Sequence, residues 1–216
     1  MKKANNNITE IVFILDKSGS MAGLESDTVG GFNSLIEKQK GKEGKCLVST
    51  VLFNGETEVI HDRVPLEEVS RLTEKEYSVG GCTALIDALG GAIKHVDKVH
   101  RYIRPEDVPD NVMFVVTTDG MENASKKYTS DEVKKEVERH KELGWEFIFF
   151  GANIDAVQTA ARYGIGKDRA VDYTCDAAGT AVNFKAMGKV MCAVRESRPI
   201  EANRKEEVEE DHKRKR

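Results

Sequence analysis

Residues 11 to 20 read IVFILDKSGS, and the way this run ends decides how the chain is understood. Ile11 to Leu15 is apolar throughout and rich in β-branched side chains. It lacks the alternation of a strand with one wet face, so it predicts a strand buried on both sides. An aspartate, two serines and a glycine follow at once. These residues stop strands and start turns, and Asp16 or Ser18 in such a turn could simply cap the next helix. The same residues also supply oxygen atoms in close succession, as a ligand loop would. The rest of the chain has to separate the two readings.

Outward from this run, strand-like and helix-like segments alternate, which predicts an α/β fold. A helix is expected over Ser26 to Lys38, with Phe32, Leu35 and Ile36 inward. In KCLVSTVLFNGETEVIHD (45–62), Asn54-Gly55 between two β-rich runs signals a hairpin, pairing Cys46–Phe53 with Glu58–His61. One strand should therefore run antiparallel at the edge. A short helix and loop are expected over 65–80, then a helix from Thr83 with Leu85, Leu89, Ile93 and Val96 on one face. Gly90 and Gly91 inside that helix are unfavourable by propensity and suggest close packing on the sheet. NVMFVVTTDG (111–120) and WEFIFFGAN (145–153) read as further buried strands. Helices over Ser130–Leu143, 154–164 and Ala177–Glu196, with a short strand at Ala170–Tyr173, complete the pattern. The expected architecture is a doubly wound, Rossmann-like, mostly parallel sheet with one antiparallel edge strand and helices on both faces. The domain should span residues 8–197. Residues 198–216 form a charged tail; the sixteen residues after Ile200 hold one valine and can bury nothing, so disorder is expected there.

Composition narrows the function. The chain has 216 residues, 39% hydrophobic and 32% charged, with a net charge of −4. That suits one domain with a real core. An acidic balance offers no counter-charge to nucleic acid or to an anionic membrane, so neither is expected as partner. The apolar run at 11–15 is too short for a signal peptide or a membrane span, and a cytoplasmic protein is expected. Cys46, Cys82, Cys175 and Cys192 are widely spaced, without a C-x-x-C pair, and are expected to be small packed side chains.

Open parallel sheets bind ligands beyond the carboxyl ends of their strands, where the winding changes direction. Two buried strands end there in acidic turns, at Asp16-Lys17-Ser18-Gly19-Ser20 and at Thr117-Thr118-Asp119-Gly120. GGCTALIDAL (80–89) adds Thr83 behind a glycine pair. Two carboxylates and three hydroxyls make an oxygen-only set, which hard cations such as Mg²⁺ prefer. At this point the chain resembles the von Willebrand factor A domain family, in particular intracellular, single-domain members of bacterial type. DKSGS matches the family's D-x-S-x-S motif, Thr83 its single threonine and Asp119 its distal aspartate. The resemblance runs over residues 8 to 197. It implies a metal-ion-dependent adhesion site, with Mg²⁺ or Mn²⁺ held by Asp16, Ser18, Ser20, Thr83 and Asp119. It also implies a position left for an Asp or Glu of another protein. On this reading DKSGS is the first ligand loop of a non-catalytic binding module.

Neighbouring residues are less decided. Asp87 is either an acceptor behind the site or a carboxylate favoured by a helix N-terminus. Glu122 and Asn123 either line the rim or sit in a solvated loop. The five histidines do not cluster, and no metal role is assigned to them. The rival function is Mg²⁺-dependent phosphoryl transfer of the haloacid-dehalogenase type. That chemistry uses D-x-D, and Ser18 stands where the second acid would be. No G-x-x-x-x-G-K-[ST], G-x-G-x-x-G or G-x-S-x-G motif is present. RNA-linked scaffolding through the tail is poorly supported by the net charge.

Overall fold

The apolar run expected to be buried on both faces is the centre of the sheet. A computed structural model describes residues 6–152, 154–174, 176–200 and 208 of the chain. In it β1 (Ile8–Asp16) is buried at all nine positions. It pairs in parallel with β2 (Lys45–Phe53) on one side and with β4 (Asn111–Thr118) on the other. With β3 (Thr57–Pro65), β5 (Glu146–Ala152) and β6 (Ala170–Tyr173), the strand order is β3-β2-β1-β4-β5-β6. Only β3, at the edge, is antiparallel. The chain winds from β1 out to β3 and then crosses to β4, so the direction changes between β1 and β4. This is the expected doubly wound sheet.

Strand alternation divides the core into two layers. Ile11, Phe13 and Leu15 pack with Phe32, Leu35 and Ile36 of α1 (Glu25–Gln39) and with Phe184, Met187 and Met191 of α5 (Ala177–Arg195). Val12 and Ile14 face the other way, against Leu85, Leu89, Ile93 and Val96 of α2 (Leu85–Tyr102). That layer also holds Val133 and Val137 of α3 (Ser130–Glu142), and Ala156 and Ala160 of α4 (Ala156–Arg162). Each fully buried aliphatic or Phe side chain stabilises the fold by about 1.5–3 kcal/mol. The polar helix α3 compensates for its narrow apolar stripe with a capping box between Thr129 and Glu132.

The Asn54-Gly55 hairpin forms as expected, with Leu52 opposite Glu58 and Thr50 opposite His61. Neither turn residue has positive φ; Asn54 Oδ1 accepts the Glu56 N–H at 3.0 Å, so the asparagine acts through its side chain. Three local expectations need correction. Gly90 packs on α3 and the loop before it rather than on the sheet. A Cβ there would stand 2.9 Å from Tyr128 Cδ2 and 3.0 Å from Val133 Cγ2. Of the cysteines, Cys46 is buried as expected, whereas Cys82 is exposed and Cys192 half-buried; Cys175 lies outside the described residues. Val208 is helical and 1% exposed, within the α1/α5 layer, although composition suggested that the tail buries nothing. The rest of the tail expectation, from residue 201 onward, lies outside the described residues.

Candidate metal centre

The five oxygen-bearing residues come from three loops above the carboxyl ends of β1 and β4, at the point where the winding changes direction. Asp16 ends β1 and is 1% exposed; Ser18 is equally buried, Thr83 is 3% and Asp119 5% exposed. Burying two carboxylates in one crevice is costly unless something compensates them. Burial pushes the Asp16 carboxyl above its ordinary range. Hydrogen bonds from Thr118 and Ser18 pull it back, and the nearby Asp119 charge adds to the rise. The positive charge of a cation would reverse this balance.

The side chains converge. Ser18 Oγ and Ser20 Oγ are 3.1 Å apart. The Ser20 hydroxyl donates to Asp119 Oδ1 at 2.5 Å, joining the first loop to the third. A Cβ added at Gly120 would meet Thr83 Oγ1 at 2.8 Å and Ser20 Oγ at 3.4 Å. The second loop's hydroxyl therefore closes on the same spot, and glycine at 120 keeps it open. In an octahedral shell with metal–oxygen bonds of about 2.1 Å, adjacent oxygens stand about 3 Å apart. The serine pair has that spacing, and the donor set is all oxygen. The residues present thus fit Mg²⁺ or Mn²⁺. Among the described residues there is no cluster of three His, Cys, Asp or Glu side chains. Any cation held here would depend on hydroxyls as much as on carboxylates.

Residues that the motif does not contain hold the cradle in place. Thr118, fully buried, donates from its hydroxyl to Asp16 Oδ2 at 2.5 Å, while the Ser18 N–H donates to Asp16 Oδ1 at 2.7 Å. Both carboxylate oxygens of Asp16 are therefore oriented before any ion arrives. The Tyr77 hydroxyl donates to the Asp16 carbonyl. Its phenol is pushed well above the ordinary range, chiefly by burial. The loops are also stitched through their backbones. Lys17 N–H donates to Phe53 O at 2.7 Å, Gly19 N–H to Gly81 O at 3.1 Å, and Ala84 N–H to Asn54 O at 2.7 Å.

The undecided residues now have places. Glu122, half-buried, is a clamp. It accepts from the Ile86, Ala124 and Ser125 N–H groups at 2.8, 3.0 and 2.8 Å. In doing so it caps α2 from a distant loop, where Ala84 at the N-cap offers no side chain. Asn123 Oδ1 accepts the Thr83 N–H at 2.9 Å, fixing the threonine backbone. Asp87 accepts from the Lys126, Lys127 and Tyr128 N–H groups at 2.8–3.0 Å, which ties the β4 loop to α2. Sequence reasoning missed Thr118 and Tyr77. Strand alternation could have found Thr118, since it shares a face with Val116, Phe114 and, across the ladder, Asp16. No periodicity marks Tyr77, whose loop is irregular.

Comparison with known proteins agrees with this architecture. The chain is similar in fold to proximal thread matrix protein 1 from the mussel byssus, with a TM-score of 0.60 at 16% identity over 86% of this chain. It spans 46% of the length of that mussel chain. Another structure of the same mussel protein, described as having a zinc-occupied MIDAS motif, matches at a TM-score of 0.57 and 16% identity, over 85% of this chain and 46% of that one. The vWF domain of the type V pilus tip protein Mfa5 from Porphyromonas gingivalis also matches at 0.60. There the identity is 10%, covering 85% of this chain and 95% of that one. No curated protein sequence matches the chain. A family model, however, matches residues 10–182, and the chain belongs to the von Willebrand factor type A domain family.

Proposed function

We propose that this domain is a non-catalytic, Mg²⁺- or Mn²⁺-dependent protein-binding module. Asp16, Ser18, Ser20, Thr83 and Asp119 would hold the ion, and an Asp or Glu of another protein would complete its shell. The observation that carries this reading is the convergence of two carboxylates and three hydroxyls from three loops at the turning point of the sheet, with serine oxygens 3.1 Å apart. Five protein oxygens would leave one position open in the six-coordinate shell that Mg²⁺ prefers, and an incoming carboxylate would fill it. The protein's own part is to hold the oxygens still. Thr118 and the Ser18 N–H orient Asp16, Ser20 braces Asp119, and Asn123 fixes Thr83.

Phosphoryl transfer is the less favoured reading. A phosphatase of the haloacid-dehalogenase type needs a second acid two residues after its nucleophile. Ser18 fills that place, buried and hydrogen-bond distance from Ser20, and its hydroxyl does no carboxylate work near neutral pH. The test is a pull-down with the immobilised domain in Mg²⁺. A protein retained by wild type should be released by EDTA and not retained by Asp16→Ala or Thr83→Ala. Circular dichroism should show all three forms folded. Retention that survives both EDTA and Asp16→Ala would overturn the proposal.

A further inference from the structure

The turn from α1 to β2 runs against the last turn of α5 and brings an amine onto a thiol. The Lys42 ammonium donates to Cys192 Sγ at 2.7 Å. That is as short as a charge-assisted bond to oxygen, although sulfur is the larger atom. Gln39 Nε2 donates to the same sulfur at 3.2 Å. A lysine has many rotamers, and one surface contact of this kind would carry little weight. Here the turn itself is fastened. Arg195, on the same helix as Cys192, is only 8% exposed, and its guanidinium donates to the carbonyls of Gln39, Lys42, Glu43 and Gly44 at 2.8–3.2 Å. It grips the backbone of Lys42 while Cys192 meets the side chain. A cavity of about 380 Å³ between α1 and α5, whose walls include Leu35, Phe184 and Lys42, reaches the half-buried thiol. The other described cysteines lack this setting. Cys46 is buried, and desolvation pushes its thiol up to about 12. Cys82 is exposed, and among the described residues no amine is bonded to it.

We propose that Cys192 and Lys42 form a peroxide-responsive covalent clasp, a sulfenamide joining Cys192 Sγ to Lys42 Nζ. The Cys192 thiolate attacks hydrogen peroxide. An S–O bond forms, the O–O bond breaks, and hydroxide leaves and takes up the proton that the thiol gave up, giving sulfenic acid and water. The Lys42 amine, its own proton lost to solvent, then attacks the sulfenic sulfur. An N–S bond forms, the S–O bond breaks and a second water leaves, so the sulfur is oxidised by two electrons and the peroxide is reduced. Sulfenic acids condense in this way with a backbone nitrogen, and an amine already against the sulfur has the advantage of an intramolecular reaction over any reagent in solution. The clasp fastens the α1–β2 turn to α5 across 150 residues of sequence. A thiol reductant undoes it by attacking the sulfur and releasing the amine.

The test treats the full chain with hydrogen peroxide, with and without dimedone to trap sulfenic acids, and maps each cysteine by tryptic digestion and mass spectrometry. In wild type the peptides carrying Lys42 and Cys192 should appear joined, lighter than their sum by the hydrogens lost, and dithiothreitol should separate them. Lys42→Arg keeps the charge and the donor but replaces the amine with a guanidinium that stays protonated. In that variant no joined peptide should form, and dimedone should capture Cys192 roughly tenfold more than in wild type. Capture at the exposed Cys82 should be the same in both proteins, which controls for oxidant and for folding. Equal capture of Cys192 in the two proteins, its joining to a different lysine, or oxidation of Cys82 with none at Cys192 would each overturn the proposal.

Discussion

Replacing Thr118 by valine removes one oxygen from a buried position and keeps the shape of the side chain. That hydroxyl donates to Asp16 Oδ2 at 2.5 Å, with Thr118 fully buried and Asp16 1% exposed. Losing a hydrogen bond to a buried carboxylate costs about 1.5–3 kcal/mol. For a domain of this size each kcal/mol shifts the melting temperature by about 2–4 °C, so the metal-free variant should melt about 3–12 °C lower. The second effect is on the ion. Outer-shell partners of a ligating carboxylate are worth about 10–100-fold in metal affinity. At a Mg²⁺ concentration 100 times the wild-type Kd, the ion adds about 2.7 kcal/mol to wild-type stability. In Thr118→Val the same concentration is only about 1–10 times Kd, and the gain falls to about 0.4–1.4 kcal/mol. Thermal melting with and without Mg²⁺ reads both effects at once, and calorimetry gives Kd directly. Thr118→Ser, which keeps the donor, should behave like wild type. If Thr118→Val gains as much from Mg²⁺ as wild type does, Thr118 does not orient a metal ligand.

Further perturbations separate the site from its scaffold. Gly120→Ala should weaken metal binding at least tenfold with little loss of fold, because its methyl would press on Thr83 Oγ1 at 2.8 Å; unchanged Mg²⁺ affinity by calorimetry would show that the cradle is not closed at that point. At the other end of β1, Glu10 is fully buried against His100 Nε2 at 2.7 Å and Arg63 Nη1 at 3.3 Å. Arg63→Ala should cost about 3–5 kcal/mol in urea unfolding by stranding that carboxylate, while metal affinity stays put, since the site is about 20 Å away along the strand. A loss below about 1 kcal/mol would mean that His100 alone satisfies Glu10. Burial holds the His61 imidazole below its ordinary value of 6.5. Below pH 6.5 the unfolded chain takes up a proton that the folded one refuses, so stability should fall as the pH drops from 6.5 towards the depressed folded value. His61→Gln should flatten that slope; an identical slope in the variant would assign it to other groups.

Much of this was legible in short segments because the signals there are local. A continuous apolar run means burial on both faces, and β1 is buried at every position. Oxygen-bearing residues directly after such runs land on one sheet edge, which brought Asp16, Ser18, Ser20 and Asp119 together; Thr83 followed from a glycine pair before a helix, and the family resemblance implied all five as one ligand set. What stayed hidden depends on contacts between distant segments. Tyr77 reaches the Asp16 carbonyl from a loop 61 residues away, and no pattern in that loop announces it. Gly90 was read against the sheet, but Val133 of α3 and Tyr128 of the loop before it cover the glycine. Cys82 was expected to pack as small apolar side chains do. It follows Gly81, whose φ of +79° turns the chain so that Thr83 faces inward and Cys82 outward. Glu122 looked like a loop carboxylate, and only the proximity of α2 makes it a cap.

That these five side chains hold one divalent cation is tested most directly by titrating Mn²⁺ into wild type and Asp119→Ala side by side by isothermal calorimetry. Asp119 Oδ1 is the acceptor through which the first loop meets the third, at 2.5 Å from Ser20 Oγ. Its removal takes away a charge and a brace without opening the core, because the residue sits at the sheet edge. Wild type should show one saturable site per chain and Asp119→Ala no measurable binding, with both proteins folded by circular dichroism. Equal binding by the two proteins, or none by either, would contradict it.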